Sequence, residues 1–555
     1  MAKVKNHQSL GEIFRNIGNG VTGVFVFIIL VIFPLYTHDK YFDILGARYT
    51  FFKCWAIILC SILIFLGLLY LLLDFQNAAS SPTAIRRFFD SFKPKNIKKH
   101  IVITDVFFVI MIISMIISTA NTKYREEALF GTAGRYQGLE CWVIYLLTYF
   151  AITRTFKFNI IYLDCAILAG LFASIWGILD FFWLNPFGFF DNVTSTQQSM
   201  FASSIGNLNT YTNYTIMIFA LSATLFIIEK KLWKTIFYFI AALISCAGTV
   251  YGFADNAVLG FFAVFVALPF FVFKTRKMFL RYLLSIDTLL ITLFLFMLSL
   301  NLPHNVGQTS FFQNLIRVQI FAYLFIPWTI IVAVLYFCLF KAKPNYGNEI
   351  GVNLNPLDSI LPKKILYIYI TVLCVGLVAV TYILIDMNVL KQHIDIWSKL
   401  PSSSQLVFND DWGTHRGHNW RIAFTNFTQN FSTFQRLFGY GPDTYLIVSE
   451  RTFYEEMVNR YGEVYDSAHN EYINYLICEG IIGLTCYLGI FISGVVIAIK
   501  NIKNNKFLTA TVVAVIAYLF QATVNIAIPI TTPVFFTLMY IGVAEHFYNS
   551  YQIDV

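Results

Sequence analysis

Charge is what this chain has least of. Only 13% of its residues are Asp, Glu, Lys or Arg, against about 25% in a soluble domain, and 57% are hydrophobic. That balance excludes an ordinary soluble protein. Cysteine motifs are missing too. The nine cysteines, at 54, 60, 141, 165, 246, 338, 374, 478 and 486, make no C-x-x-C or Cys/His spacing, which argues against a disulfide framework or a zinc site. Nearly all lie in apolar runs, where a free Cys acts as a small hydrophobe. The apolar runs do not alternate with polar residues over about 10 positions, so a transmembrane barrel is excluded. No internal repeat or low-complexity tract is present. The first run, 21–36, follows a basic leader (Lys3, Lys5, Arg15) and no small-residue cleavage site follows it, the pattern of a retained signal anchor.

What is present is a series of apolar runs of about 20 residues, each long enough to cross a hydrocarbon core of about 30 Å. The expected fold class is therefore an all-α integral membrane protein with about 12–14 transmembrane helices. Fourteen spans are expected, near 20–37, 50–73, 101–119, 138–153, 159–184, 210–228, 234–250, 256–273, 282–302, 316–340, 364–386, 480–499, 507–526 and 532–548. The connections at 74–100, 229–234, 274–281, 341–364 and 500–506 are basic, and they alternate with poorly basic ones at 185–209, 303–315 and 527–531. About 25 of the 39 Lys and Arg then fall on one side, the bias of cytoplasmic loops. Both termini are expected in the cytoplasm. The formal net charge of +8 follows from this topology and gives no reason to expect nucleic acid.

This orientation puts one long insert, 387–470, outside the cell. Long loops are commonly functional, and this one is too aromatic for a disordered linker (Trp397, Trp412, Trp420, with many Tyr and Phe). It reads as a small, partly helical extracytoplasmic lid, with an amphipathic helix over 422–434. The expected organisation is a helix bundle over 1–386, the lid over 387–470, and the last three spans within 471–555.

Ionisable residues at such a membrane boundary need a reason, and His469 comes first. Asp466 or Ser467 would cap the helix that follows, placing His469 in its first turn. The positive helix end keeps the ring neutral and able to accept a proton. It also offers backbone N–H groups to an anion such as a diphosphate. The plainer reading is an interfacial histidine with a structural hydrogen bond. Arg416 comes second. A planar, permanently charged fork suits phosphate oxygens, although a loop arginine paired with Asp410 or Asp411 is the ordinary alternative. Arg421 is a second candidate for the same task. Asp410, Asp411, His415 and His418 also form a loose metal-like cluster, but polar loops carry such clusters by chance, and no metal is expected.

These residues stand in an order that resembles a known family. The string A-H-N-x-Y-x-x-x-L from Ala468, followed by Glu479-Gly480-x-x-Gly483, is similar to the histidine motif of the O-antigen ligase/polymerase superfamily of bacterial membrane glycosyltransferases. His415 to Arg421, H-R-G-H-N-W-R, resembles its Arg-x-x-x-Trp element, and Gly439-Tyr440-Gly441-Pro442 its Gly-x-Gly turn. Phe130 to Gly138, with Ala133 and Arg135 inside it, resembles an external G-x-x-x-R-x-x-G loop. Ile205-Gly206-Asn207-Leu208-Asn209 resembles a G-N-P-N element with Leu208 for proline; a glycine-rich turn and an Asn cap at 209 are the ordinary readings. Asp255, within GFADNAVLG, stands where many ligases carry an arginine.

The resemblance covers roughly 120–500 and is most specific over 412–491. It implies an inverting, metal-independent glycosyltransferase without a cofactor, with His469 as general base and Arg416 on the diphosphate. Arg421, Arg135, Asp255, Asn207, Asn209, Tyr440 and Trp420 are expected around the substrate, the lid aromatics Trp412, Trp420 and Tyr440 stacking on sugars. The partners implied are an undecaprenyl-diphosphate-linked glycan as donor, a lipid, glycan or protein as acceptor, and membrane lipids. Ligation to an acceptor and polymerisation of lipid-linked repeat units both remain open. A transporter or flippase for a lipid-linked oligosaccharide is the non-enzymatic alternative. It calls for matched halves or ionisable residues near mid-membrane, and the chain shows no such repeat.

Overall fold

Apolar runs of this length can hydrogen-bond their backbone away from water only as helices, and the chain is helical almost throughout. A computed structural model describes residues 9–76, 84–91, 93, 95–132, 134–304, 311–317, 319–342, 355–400 and 403–553. Ala133 and parts of the expected connections 74–100, 303–315 and 341–364 lie outside the described residues. A helix occupies each of the fourteen expected positions. Among the described residues nine are long and apolar enough to cross a membrane, and Asn256–Val272, Phe325–Lys341 and Leu508–Gln521 are shorter apolar helices. The strands among these residues are a two-residue pair, Phe201–Ala202 with Gly206–Asn207.

A helix that is apolar on all sides belongs inside a bundle, and Leu208–Ile228 is that helix. Its residues from Thr210 to Ile228 are all buried. Ile161–Phe181, Leu232–Tyr251, Asn256–Val272 and Leu508–Gln521 surround it. The opposite extreme is Lys363–Ile385, which buries none of its residues and exposes Ile368, Val372, Val375 and Val378, as a hydrocarbon-facing helix would.

Between Leu390 and Glu471 the chain folds into short helices around a second, small core. Ile422, Phe431, Tyr445, Val448 and Met457 pack there against Ile473 and Ile477 of the following helix. The helix expected over 422–434 forms differently. Trp412–Thr425 runs into a wider turn, Asn426–Asn430, and Ser432 then caps a separate helix, Thr433–Phe438. The 17-residue helix Tyr445–Tyr461 escapes a periodicity reading, because charged and apolar residues alternate irregularly along it.

The following helix, Glu471–Asn501, joins the helix expected after Asp466 or Ser467 to the span expected over 480–499, and it is broken between them at Gly480 (φ 71°, ψ −170°). The break is where the lid is fastened. Tyr440 N–H donates to Ile477 O (3.1 Å) and Gly441 N–H to Cys478 O (3.1 Å). A Cβ on Gly439 would fall 2.0 Å from Cys478 O, and one on Gly480 would fall 2.4 Å from Leu437 O. Both glycines have positive φ, so Gly-x-Gly and Glu-Gly are two halves of one backbone-to-backbone joint.

Candidate active site

His469 is held at the lid end of that helix in a strained backbone conformation, φ 48°, which a non-glycine residue adopts only when its surroundings impose it. The surroundings are on either side of it. Asn419 Nδ2 donates to Ser467 O (2.7 Å), and Trp420 Nε1 donates to Ala468 O (2.9 Å). Ala468 N–H donates to Asn474 Oδ1 (3.2 Å), and Tyr445 OH, 2.5 Å from Asn419 Oδ1, fixes that asparagine in turn. Trp420 thus supports the histidine loop through its indole N–H.

The helix cap differs from expectation. Asn470, not Asp466 or Ser467, is the N-cap, its Oδ1 accepting Ile473 N–H (3.1 Å). His469 therefore lies just before the helix rather than in its first turn. The helix end is also partly occupied, because Glu471 N–H donates to Ala522 O (2.9 Å). Asp466 instead pairs with Arg135 (2.5 Å).

Three chain-distant segments supply the charges around the ring. Burial pushes His469 down to about 4, and Arg416 and Arg135 push it further in the same direction, with Asp466 opposing. The ring is neutral at pH 7 and makes no hydrogen bond among the described residues. Arg416 donates to Gly413 O (2.5 Å) across a left-handed turn, Gly413 to His415. Its Nε is buried without a partner among the described residues. Burial lowers the Arg416 guanidinium, and the charge of Asp255 opposes that. The Asp255 carboxyl is itself raised by burial, with Arg416 among the groups that oppose the rise. It accepts Phe311 N–H (2.6 Å) and Gln405 Nε2 (2.7 Å), so it ties the lid to the bundle.

The loop at 131–138 closes on itself, since a Cβ on Gly138 would meet Gly131 N at 2.6 Å. It is also held by Asp443, which belongs to the lid turn. Asp443 Oδ2 accepts the N–H groups of Thr132 and Gln137, each at 3.0 Å. Burial raises the Asp443 carboxyl to about 7, against the pull of those two N–H groups and of Arg135. A cavity of about 20 Å³ lies beside it, lined by Arg135, Gln137, Asp443, Ser467 and Glu479 among others. That is the size of one water site.

The other expected residues have different placements. Arg421 is committed within the lid, donating to both oxygens of Asp410 (3.1 and 3.3 Å) and to Glu456 (2.5 Å). Those bonds make it a lid residue rather than a second phosphate fork. Tyr440 accepts Arg451 Nη1 through its hydroxyl (2.7 Å) and stacks on Phe431. Asn207, not Asn209, caps the Leu208–Ile228 helix, with Asn209 N–H as donor (2.9 Å). Asn209 O receives Asn256 Nδ2 (3.0 Å) and Asn525 Nδ2 (3.3 Å). Asn207 and Asn209 therefore organise the bundle rim. Trp412, Trp420 and Phe408 form one aromatic cluster.

The four residues of the metal-like cluster have separate partners. Asp410 pairs with Arg421 and Arg460, Asp411 accepts Tyr461 OH, His415 meets Glu463, and His418 meets Glu456. Among the described residues no three His, Cys, Asp or Glu side chains are grouped as a metal site would require. Asp443 and Asp466 were not expected in the site; Asp466 stood in the sequence only as a cap candidate. No protein-family model and no curated protein matches this chain.

Proposed function

We propose that this protein is a membrane glycosyltransferase that moves a glycan from an undecaprenyl-diphosphate carrier to an acceptor hydroxyl at the extracytoplasmic face. One observation carries the reading: a neutral, conformationally strained histidine stands in the field of two arginines from distant parts of the chain, under a lid fastened to an apolar helix bundle. Strain of this kind is concentrated at functional sites. Two arginines beside an uncharged base suit a reaction that pairs an anionic leaving group with removal of a proton. The sequence resemblance supplies the carrier and the sugar chemistry.

In this mechanism His469 accepts the proton of the acceptor hydroxyl as its oxygen attacks the anomeric carbon. The bond from that carbon to the phosphate oxygen breaks, the configuration inverts, and the electron pair leaves with the lipid diphosphate. Arg416 and Arg135 stabilise the charge that develops on it. Their positive charges weaken His469 as a base while the site is empty of donor. A bound diphosphate offsets both, so donor binding strengthens the base.

The test separates the two roles. His469→Ala should bind undecaprenyl-diphosphate-linked glycan normally and lose transfer by about 10²–10⁴-fold. Arg416→Lys should weaken donor binding as well as turnover, because a point charge does not replace a fork. Near-normal transfer by folded His469→Ala would sink the mechanism.

A further inference from the structure

Arg135 pairs with Asp466 of the lid, and the backbone of the loop that carries it is held separately. Gln137 is buried, yet both polar atoms of its amide lack partners among the described residues. Tyr136 stacks on Tyr49 at 4.7 Å between ring centres, which steadies the loop from the bundle side alone. Beside the Arg135–Asp466 pair, the connection of the loop backbone to the lid is Asp443. One of its carboxylate oxygens accepts two N–H groups, Thr132 and Gln137, three positions before and two after Arg135. Gly131 makes the approach possible, because a Cβ there would stand 2.7 Å from that oxygen. Asp443 itself cannot drift. It is buried, its φ is 53°, and the turn that carries it is closed by Thr444 Oγ1 on Gly441 O (2.6 Å) and docked by Gly441 N–H on Cys478 O (3.1 Å). The same carboxylate therefore refers the 131–138 loop to the backbone joint beneath His469.

We propose that Asp443 is a positioning residue of this site: it sets where Arg135 stands beside Asp466 and His469, without touching substrate itself. The inference rests on the transferase reading only for what Arg135 does there. Both backbone donors are buried and need an acceptor at one point. An amide oxygen at the same place meets that need and a methyl group does not.

The experiment uses the full-length protein in nanodiscs, with undecaprenyl diphosphate as the binding probe and hydrogen exchange of the 129–138 segment as a second measurement. Asp443→Ala should weaken probe binding about tenfold, the equivalent of losing one well-placed charge contact. Arg135→Gln should do the same, and the double variant should also stay at about tenfold because the two act through one contact. Asp443→Asn should bind within about threefold of the parent, as conservation of the acceptor implies. Exchange at Thr132 and Gln137 should speed up in Asp443→Ala and stay slow in Asp443→Asn. Asp443→Ser, whose shorter side chain withdraws the acceptor from both N–H groups, should give the Asp443→Ala result if that variant does not fold. Single effects that multiply in the double variant would overturn the proposal. So would unchanged exchange in Asp443→Ala, or an Asp443→Asn variant as weak as Asp443→Ala. If exchange responds as stated while Arg135→Gln binds the probe normally, the positioning contact stands and the use of Arg135 in the transferase reading falls.

Discussion

The titration of His469 gives the sharpest quantitative handle on this site. Its ring is pushed from an ordinary value of 6.5 to about 4, first by burial and then by Arg416 and Arg135. A shift of that size corresponds to about 3 kcal/mol, an upper figure because the ring keeps some solvent contact. The sign is that of a group neutral in the fold. Between pH 6.5 and 4 the unfolded chain binds the proton and the folded one does not, so the contribution is intact above 6.5 and is lost as pH falls toward 4. Histidine C2–H exchange read by mass spectrometry gives the midpoint residue by residue. In donor-free protein the His469 midpoint should lie near 4. With undecaprenyl diphosphate bound it should rise by about a unit or more, as neutralising a nearby like charge requires. The acid limb of kcat/KM, which reports free enzyme, should show the donor-free value, whereas the limb of kcat should show the bound one. A donor-free midpoint near 6.5 would refute the enclosure of the ring between the arginines. An unchanged midpoint on binding would refute their contact with phosphate.

Other outcomes follow from the same geometry. Gly480→Ala places a side chain in a left-handed position 2.4 Å from Leu437 O; it should cost at least about 1–3 kcal/mol from backbone strain alone, read as a fall in thermal midpoint and as loosening of the lid to limited proteolysis. Asp443→Asn removes an acid raised by burial to about 7. The parent should lose stability relative to this variant as pH rises from about 4 to 7, and parallel stability–pH curves would contradict that. A Cys introduced at 405 should be labelled in intact cells and one at 90 should not, as the Lys/Arg bias requires; the reverse pattern would move the site to the cytoplasm. Transfer should survive EDTA, since the Asp410, Asp411, His415 and His418 side chains each have other partners; loss restored by one divalent ion would revive that cluster.

The helix positions were legible because length and hydropathy alone dictate them, and local motifs pointed to the right turns. Gly439, Gly441 and Gly480 have positive φ, a backbone demand that glycine in a motif announces in advance, whereas the positive φ of His469 had no such signal. What the sequence hid were choices among equivalent residues and contacts across the chain. Asp466, Ser467 and Asn470 are all competent caps, and only the path of the chain selects Asn470. Arg416 and Arg421 share one helical segment, yet acids at 410 and 456 capture the second. Asp443 reads as an ordinary turn residue until the 131–138 loop arrives beside it, and Asp255 reads only as a departure from an expected arginine until Gln405 of the lid bonds to it.

The joint between Gly439 and Gly480 also fixes how the lid can move. Two backbones meeting without side chains between them have no slack, so that margin of the lid behaves as a hinge pin. The opposite margin is fastened differently. There Gln405 reaches Asp255 through an exposed polar bond, and such a bond exchanges readily with water. Between a backbone joint at Gly439 and an exposed hydrogen bond at Gln405, the edge at Gln405 should be the first to loosen.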